Sequence, residues 1–364
     1  MRNVSASIFI IISVLIAIGV VMIYSASAIY GYEKMGDSLY FLKRHIIYLS
    51  IGYIVMFGVM LMDVNILRRF SKHIMLFSAA LLVLVLIPGL SRSISGARRW
   101  FSFGPVTFQP SELVKIALII YIADLAARKT GDIRSFLSGY LPAILVMGGC
   151  VGLVLLEPDL GTAIDMAAIV LLMLFISGVK VSYITLTLLA SLPVLYFLLF
   201  SVPYRRKRLM IFLNPWEDRR GAGFQIIQSL IALGSGGIFG VGLGQSRQKL
   251  FYLPEAYTDF IFSIIGEELG LLGTMTVILL FGLFVWQGMR VSLSSHDSFG
   301  RVLSFGVVSM IALEAVINIG VTSGAFPTKG LPLPLVSYGG TSLIFHMMAI
   351  GLVLNVAKRC EVTR

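Results

Sequence analysis

One carboxylate in this chain is placed where it could act on a bound molecule. Asp259 lies at the end of a loop, and a long apolar run begins directly after it at Phe260. Removal of a carboxyl group from water at such a boundary disfavours its charged form and so raises its pKa. A carboxylate with a raised pKa is a useful proton acceptor near neutral pH. The same position suits an ordinary helix N-cap, a role that Thr258 or Asp259 could fill. The residue types therefore allow a general base or a cap.

Two sets of cations accompany this carboxylate. Residues 204–208 read Tyr-Arg-Arg-Lys-Arg and include Arg205 and Arg208. Guanidinium groups match the oxygens of a phosphate or pyrophosphate, although the same stretch would also be attracted to anionic lipid headgroups. Lys329 lies in 327–334, where proline and glycine are too dense for regular helix. We expect it to be a fixed cation on the same side as Asp259.

Other charged residues lie inside apolar runs, where a charge is costly and indicates function by default. Glu112 and Lys115, at i and i+3, share a helix face and can pair. They either contact a substrate or pair structurally beside the site, at the level where long side chains reach the headgroups. Further carboxylates could form the proton relay of a transporter, but no matching row of basic partners is apparent; they are Asp124, Asp165, Glu267, Glu268 and Glu314.

Three further patterns favour structure over chemistry. Residues 157–162, Glu-Pro-Asp-Leu-Gly-Thr, predict a tight turn in which Asp159 and Thr162 cap the next helix. The glycine-rich run 234–244 lacks the strand context and the Gly-Lys-Ser/Thr ending of nucleotide-binding loops, so it predicts close backbone packing or a bend. The four histidines have no ligand spacing, which argues against a zinc site.

Composition fixes the class of protein that must position these residues. Of 364 residues, 57% are hydrophobic and only 13% are charged, with a mean hydropathy of +0.93. A water-soluble protein of this size is excluded, because the chain has too few polar residues to cover its surface. We predict an all-α polytopic membrane protein forming one domain over 1–364. The net charge of +11 is scattered over short loops, which favours membrane lipids and lipid-linked anions over nucleic acid as partners.

Ten apolar stretches are long enough to cross a bilayer. They lie near 7–26, 45–63, 72–90, 111–127, 139–156, 162–179, 182–202, 260–289, 302–322 and 338–357. The first exceeds the usual core of a signal peptide, so we expect an uncleaved helix. An even number places both termini on one side, and the basic residues of the short loops favour the cytoplasm. The long segment 203–258 is then an extracytoplasmic, folded active-site loop between helices 7 and 8.

Taken together, the motifs resemble the FtsW/RodA/SpoVE family of shape, elongation, division and sporulation proteins. The resemblance runs from the first span to the last, through 96–100, 109–115, 157–162, 214–218, 224–229, 253–262 and 327–340. Residues 248–256 and 327–330 are closer to the FtsW/SpoVE branch than to RodA. Two departures are Tyr257, where a His is common in the division branch, and Leu335-Val336, where Phe-Ile is more usual.

The resemblance implies a ten-helix inner-membrane peptidoglycan glycosyltransferase that polymerises lipid II into β-1,4 glycan strands during cell division. Its implied partners are a class B penicillin-binding protein and other divisome membrane proteins. Asp259 matches the family's essential residue. An α-linked pyrophosphate donor and a β-linked product imply one inverting displacement. Asp259 would be the base, and nearby cations would stabilise the departing undecaprenyl pyrophosphate.

The resemblance also extends the set of candidate site residues. We expect substrate contacts from Arg98, Glu112, Lys115, Arg205, Arg208, Gln225, Gln228, Lys329 and Ser337. A divalent cation, Mg²⁺ or Mn²⁺, could assist the leaving group, and no other cofactor is expected. Two rival classes remain open, which are a lipid II flippase whose buried charges line a path, and a non-catalytic scaffold of the division complex.

Overall fold

The computed structural model describes residues 3–94, 97–103, 106–129, 131–219, 221 and 223–362. Twelve α-helices lie within these ranges. In chain order they are α1 (Val4–Met35), α2 (Tyr40–Leu61), α3 (Val64–Leu86), α4 (Pro110–Arg128), α5 (Leu141–Leu156), α6 (Leu160–Ile176), α7 (Val181–Phe200), α8 (Pro203–Leu213), α9 (Phe224–Ser235), α10 (Ile261–Ser294), α11 (Ser298–Thr322) and α12 (Thr341–Val362).

Each of the ten predicted spans coincides with one of these helices, and α8 and α9 lie in the long segment 203–258. Across the described ranges, eight helices are long and apolar enough to cross a membrane by themselves. Of the ten, α4 carries four charged side chains and α6 is only 17 residues long. α4 is packed inside the bundle, where neighbouring helices replace lipid as its surroundings. α6 buries one face and exposes Ile164, Leu172 and Phe175 on the other. The main differences in bounds are at α1, which ends later than predicted, and at α3, which begins earlier than predicted.

The first helix begins and the last helix ends at the same end of the bundle. The Ser5 N–H and hydroxyl donate to the Glu361 carboxylate at 3.1 and 3.0–3.1 Å, which joins the start of α1 to the end of α12. We call this end the terminal face. The opposite end carries 201–260 and 323–340, and we call it the loop face.

A small antiparallel sheet at the loop face adds to the predicted all-α class. Its strands β1 (Arg92–Ile94), β2 (Ala97–Phe103) and β3 (Val106–Phe108) pair in the order β1-β2-β3. Arg99 in β2 donates to the carbonyl oxygens of Glu157 and Pro158 at 2.9 and 2.7 Å. The sheet therefore holds the turn before α6, where Asp159 accepts from the Thr162 N–H at 3.1 Å as the predicted cap.

The glycine-rich run packs backbone to backbone against a kink in α10. Gly270 interrupts that helix with a φ of 66°, and a Cβ there would overlap the Gly240 nitrogen. The Val241 N–H donates to the Glu267 carbonyl oxygen at 3.0 Å, and other N–H groups across the kink are paired in the same way. The prediction of close backbone packing is confirmed, because only glycine leaves room for this approach.

Candidate functional site

The two residues that precede the candidate base are bound to the segment 327–340. The Tyr338 N–H donates to the Tyr257 carbonyl oxygen at 3.0 Å. The Ser337 hydroxyl donates to the Thr258 carbonyl oxygen at 2.6 Å. The Ser337 proton is therefore used within the protein, and the substrate contact expected of this residue stays a prediction.

Asn318, near the end of α11, fixes the next carbonyl along the chain. Its side-chain amide donates to the carbonyl oxygens of Asp259 and Leu331, at 2.8 and 2.7 Å. The residue is 1% exposed, and its bond to Leu331 is buried. Asn318 thus ties the backbone of the candidate base to the proline-rich segment. Sequence reasoning missed this residue, although an amide inside an apolar run was an available signal.

The cap interpretation of this region is wrong. The N-cap of α10 is Phe260, without a side-chain capping bond. The Thr258 hydroxyl donates instead to Glu255, at 3.2 Å to its carbonyl and 2.9 Å to its carboxylate oxygen. The Asp259 carboxylate is therefore not used to begin the helix.

The Asp259 side chain is partly exposed and lies against Gly330, where a Cβ would be 2.9 Å from Oδ2. Within the described ranges, no group donates a hydrogen bond to this carboxylate. Burial raises its pKa to about 7, the Glu255 carboxylate adds to the rise, and the Arg208 guanidinium opposes it. Such a group is deprotonated in a useful fraction of molecules at neutral pH while keeping affinity for a proton.

The backbone around the site is unusual on both sides. Glu255 and Leu335 are not glycines, yet they have φ values of 57° and 65°. Left-handed conformations of such residues cost about 1–3 kcal/mol each and cluster at functional sites. Leu335 is one of the two departures from the family pattern, and it is buried.

Tyr257, the other departure, belongs to an aromatic cluster. Its ring centroid lies 4.7 Å from that of Phe41, 5.6 Å from that of Tyr30 and 5.9 Å from that of Tyr338. Desolvation raises the pKa of its hydroxyl. The residue is a packed anchor on one flank of the site, and a titrating group near neutral pH is not available at this position.

Of the two predicted cations in α8, the structure brings Arg208 towards Asp259. Its guanidinium donates to the Thr328 carbonyl oxygen at 3.3 Å and lies 4.4 Å from the centroid of the Tyr204 ring. Arg205 is turned the other way and donates to the Leu198 carbonyl oxygen at 3.1 Å, near the end of α7. Arg208 is thus the cation best placed to meet a charge that develops beside Asp259.

Lys329 approaches the site with its backbone, whereas its side chain lies along α6. A Cβ on Gly161 would overlap the Lys329 side chain. Burial lowers the pKa of the Lys329 ammonium, while Asp165 and Asp159 attract its charge. The predicted cation is present at the loop face beside the start of α6, and its contact with substrate stays a prediction.

Beneath the loop face, the bundle contains a buried charge cluster made of Glu112, Lys115, Asp165, Glu314 and His346. The Lys115 ammonium is 3.0 Å from Glu112 and donates a hydrogen bond to Glu314. The second oxygen of Glu314 is 2.5 Å from Nε2 of His346. Lys115 is 2% exposed, so the predicted pair is confirmed and the idea that it reaches the headgroups is wrong.

Two other carboxylates hold the long segment to the rest of the bundle. Glu268 accepts from the Lys249 ammonium at 2.8 Å and from the Ser25 hydroxyl at 2.7 Å. Glu267 accepts from the Arg247 N–H at 2.9 Å. Glu268 therefore has a basic partner that the sequence did not reveal, whereas Glu267 is held by polar groups alone.

Three further predicted contacts stay predictions. The backbone of Arg98 lies in β2, opposite Ser93, but its side chain and all of Gly96 lie outside the described residues. Gln225 and Gln228 are half-buried, about one turn apart on α9.

A divalent cation does not fit the one converging group found among the described residues. Ligand atoms of Glu112, Glu314 and His346 all lie within 4.8 Å of one another. The Lys115 ammonium already contacts both carboxylates, so a metal ion would have to displace a buried cation. Asp259 is not part of this group, and no step of the chemistry is assigned to a metal.

Comparison with known proteins gives the family context of this geometry. The model of the FtsW/RodA/SpoVE family, described as "Cell cycle protein", matches residues 5–361. A relative in Geobacter metallireducens, named "Probable peptidoglycan glycosyltransferase FtsW", is 46% identical over 95% of this chain and 92% of its own length. Stage V sporulation protein E of Bacillus subtilis is 44% identical over 96% and 95%.

Solved structures share the fold. A chain of a peptidoglycan synthase complex, solved in work on the coordination of polymerization and crosslinking, matches with a TM-score of 0.78 and 32% identity over 97% of both chains. The rod shape determining protein RodA of Thermus thermophilus matches with a TM-score of 0.72 and 28% identity over 96% of this chain and 95% of its own.

Proposed function

The chain belongs to the FtsW/RodA/SpoVE family, and we propose that it is a peptidoglycan glycosyltransferase that polymerises lipid II into β-1,4 glycan strands. The names of its relatives support this activity. The observation that carries the proposal is the state of Asp259. Its backbone is held by Asn318, while its carboxylate lies partly exposed with a pKa of about 7.

The proposed reaction is one inverting displacement. Asp259 takes the proton from the 4-hydroxyl of the acceptor's N-acetylglucosamine as that oxygen attacks C1 of the donor's N-acetylmuramic acid. The α bond from C1 to the pyrophosphate breaks, so the new linkage is β-1,4 and undecaprenyl pyrophosphate departs. Arg208 receives part of the developing negative charge, because a guanidinium matches phosphate oxygens.

A polymerisation assay tests the proposal. The chain is co-purified with its class B penicillin-binding protein and supplied with lipid II. We expect Asp259→Asn to lower the rate by about 10²–10⁴-fold, the usual contribution of a placed base. Asp63→Asn, the same change at an exposed position of the terminal face, is the control and should keep the wild-type rate. A folded Asp259→Asn protein with the wild-type rate would remove Asp259 from the mechanism.

The alternative of a lipid II flippase is separated by reconstitution. A flippase moves labelled lipid II between leaflets without forming polymer, whereas the proposed enzyme forms long glycan. The pairing within the charge cluster weighs against a transport path, because Lys115 and Glu314 are bound to each other and are not arranged along an open route.

Partners and location follow from the same proposal. We place the protein in the inner membrane at the division septum, with a class B penicillin-binding protein, other divisome membrane proteins and lipid II as partners; the match to a synthase complex supports this. Both termini would be cytoplasmic, which puts the loop face outside. A polymerisation assay with chelator tests whether Mg²⁺ or Mn²⁺ takes part.

A further inference from the structure

A basic cavity opens at the terminal face, far along the bundle from Asp259. It lies between the start of α3 and the end of α4 and has a volume of about 460 Å³. Four cations line it, namely Arg68, Arg69, Lys72 and Arg128. The proposed reaction uses none of them.

A buried carboxylate at the base of the cavity orients two of these cations. Asp124 is 3% exposed, and one of its oxygens is 2.9 Å from a terminal nitrogen of Arg128. Nε of Arg68 is 3.6 Å from the other oxygen, and the Ser71 hydroxyl donates to the same carboxylate. A guanidinium has five N–H donors, so donors remain on both arginines for a second anion in the cavity.

The other two cations are not neutralised. Arg69 and Lys72 are exposed, and the described part of the chain offers neither of them a carboxylate within ion-pair distance. Four cations therefore surround a single carboxylate. This is more than scattered positive charge, because two guanidinium groups are held in place on the wall of a concave space.

The position of the cavity along α3 indicates that its ligand comes from the membrane. Three of the four cations lie in the first turns of α3. Leu76 and Phe77, farther along the same helix, are 73% and 61% exposed. In a membrane protein this exposed apolar surface faces acyl chains. A molecule with a phosphate in the cavity and hydrocarbon along α3 would use both.

We propose that this cavity binds the phosphate of an anionic phospholipid headgroup in the leaflet at the terminal face. A phosphodiester carries one negative charge and oxygens that suit paired guanidinium donors. Basic pockets between membrane helices take such headgroups by the same chemistry. Free phosphate offers related chemistry, and the experiment separates the two sources.

Native mass spectrometry of the full chain in detergent tests the proposal by counting bound lipid during titration. The probes are phosphatidylglycerol, phosphatidylcholine with the same acyl chains, and inorganic phosphate as a competitor. The variant is Arg69→Gln with Lys72→Gln, which leaves the Asp124 pairs intact. The control is Arg290→Gln with Arg301→Gln, which removes two charges from the same face but outside the cavity.

We expect the variant to lose roughly 30-fold in affinity for phosphatidylglycerol, as two surface cations would contribute, while the control keeps wild-type affinity. Equal affinity of variant and wild type would overturn the proposal. So would equal losses in variant and control, which would indicate only general attraction to positive charge. Binding of phosphatidylcholine as tight as that of phosphatidylglycerol, or full displacement of lipid by inorganic phosphate, would also overturn it.

Discussion

Two regions of this bundle remove carboxylates from water, and they treat them in opposite ways. In the charge cluster, Glu314 uses one oxygen for Lys115 and the other for His346. At the loop face, the protein binds the Asp259 carbonyl through Asn318 and leaves the carboxylate itself partly exposed. In the first region Glu314 is paired through both oxygens, although its neighbour Asp165 accepts no hydrogen bond from the described residues. The second region fixes a backbone while leaving a side chain available.

The difference distinguishes charged side chains that hold the fold together from a charged side chain that is available to react. A buried ion pair gives little net stability, but its partners depend strongly on each other. A desolvated carboxylate without a partner holds a perturbed pKa, and such groups cluster at functional sites. The two carboxylates differ in both respects: Glu314 is 2% exposed and paired through both oxygens, whereas Asp259 is partly exposed and accepts no hydrogen bond from the described residues.

The largest effect on stability is expected when the charge cluster loses its cation. Lys115→Met should destabilise the protein by about 3–5 kcal/mol, because Glu112 and Glu314 lose the cation between them. Thermal unfolding in detergent measures this loss, and adding Glu314→Gln should recover part of it. Asp259→Asn should unfold at the wild-type temperature. The comparison fails if Lys115→Met is as stable as wild type.

A matched pair of asparagines tests whether fixing the backbone matters for activity. Asn355 bridges the carbonyl oxygens of Val59 and Met62, at 2.9 and 2.6 Å, much as Asn318 bridges two carbonyls at the loop face. Either residue changed to Ala leaves two buried or half-buried acceptors without this donor and should cost about 1–3 kcal/mol per group.

Only Asn318→Ala should also lower kcat for lipid II polymerisation, with little change in KM, because Asn318 acts by positioning Asp259. Thermal unfolding and steady-state kinetics on both variants separate the two effects. If Asn318→Ala and Asn355→Ala lose stability and kcat equally, the bond to the Asp259 backbone is structural only.

Local patterns in the sequence predicted the positions of ten helices. They also marked Asp259 as a base or a cap; the family resemblance favoured the base, and that role stays a prediction. A long run of apolar residues predicts a membrane span independently of the rest of the chain. The start of such a run at Phe260 places the preceding carboxylate at the edge of the membrane. The glycine-rich run was likewise interpretable, because its composition already required close packing.

The partners of the charged residues could not be predicted, because they come from distant parts of the chain. Lys115 is adjacent to Glu112 on one helix, yet Glu314 and His346 reach it only after α11 and α12 pack. Arg205 and Arg208 look equivalent in the sequence, and the orientation of α8 alone decides which one turns towards Asp259. The small sheet was missed because its strands are short and follow no long alternating pattern.

The free carboxylate also predicts a pH profile. Because the base must be ionised, the polymerisation rate should fall about tenfold per pH unit below the Asp259 pKa of about 7 and level off above it. Initial rates from pH 5 to 9 at saturating lipid II measure this acid limb. A rate that stays level down to pH 5 would contradict the assigned pKa.

The smallest expected effect concerns the cation beside this carboxylate. Arg208 lowers the Asp259 pKa, so Arg208→Gln should raise it and move the acid limb to higher pH, in addition to weakening stabilisation of the leaving group. Arg205→Gln is the matched control, since its guanidinium binds the Leu198 carbonyl and its loss should leave the limb in place. A limb that moves to lower pH in Arg208→Gln, or moves equally in both variants, would mean that Arg208 does not act on the base. The positive charges near Asp259 would then affect its pKa no more than the charges of any other loop at the membrane surface.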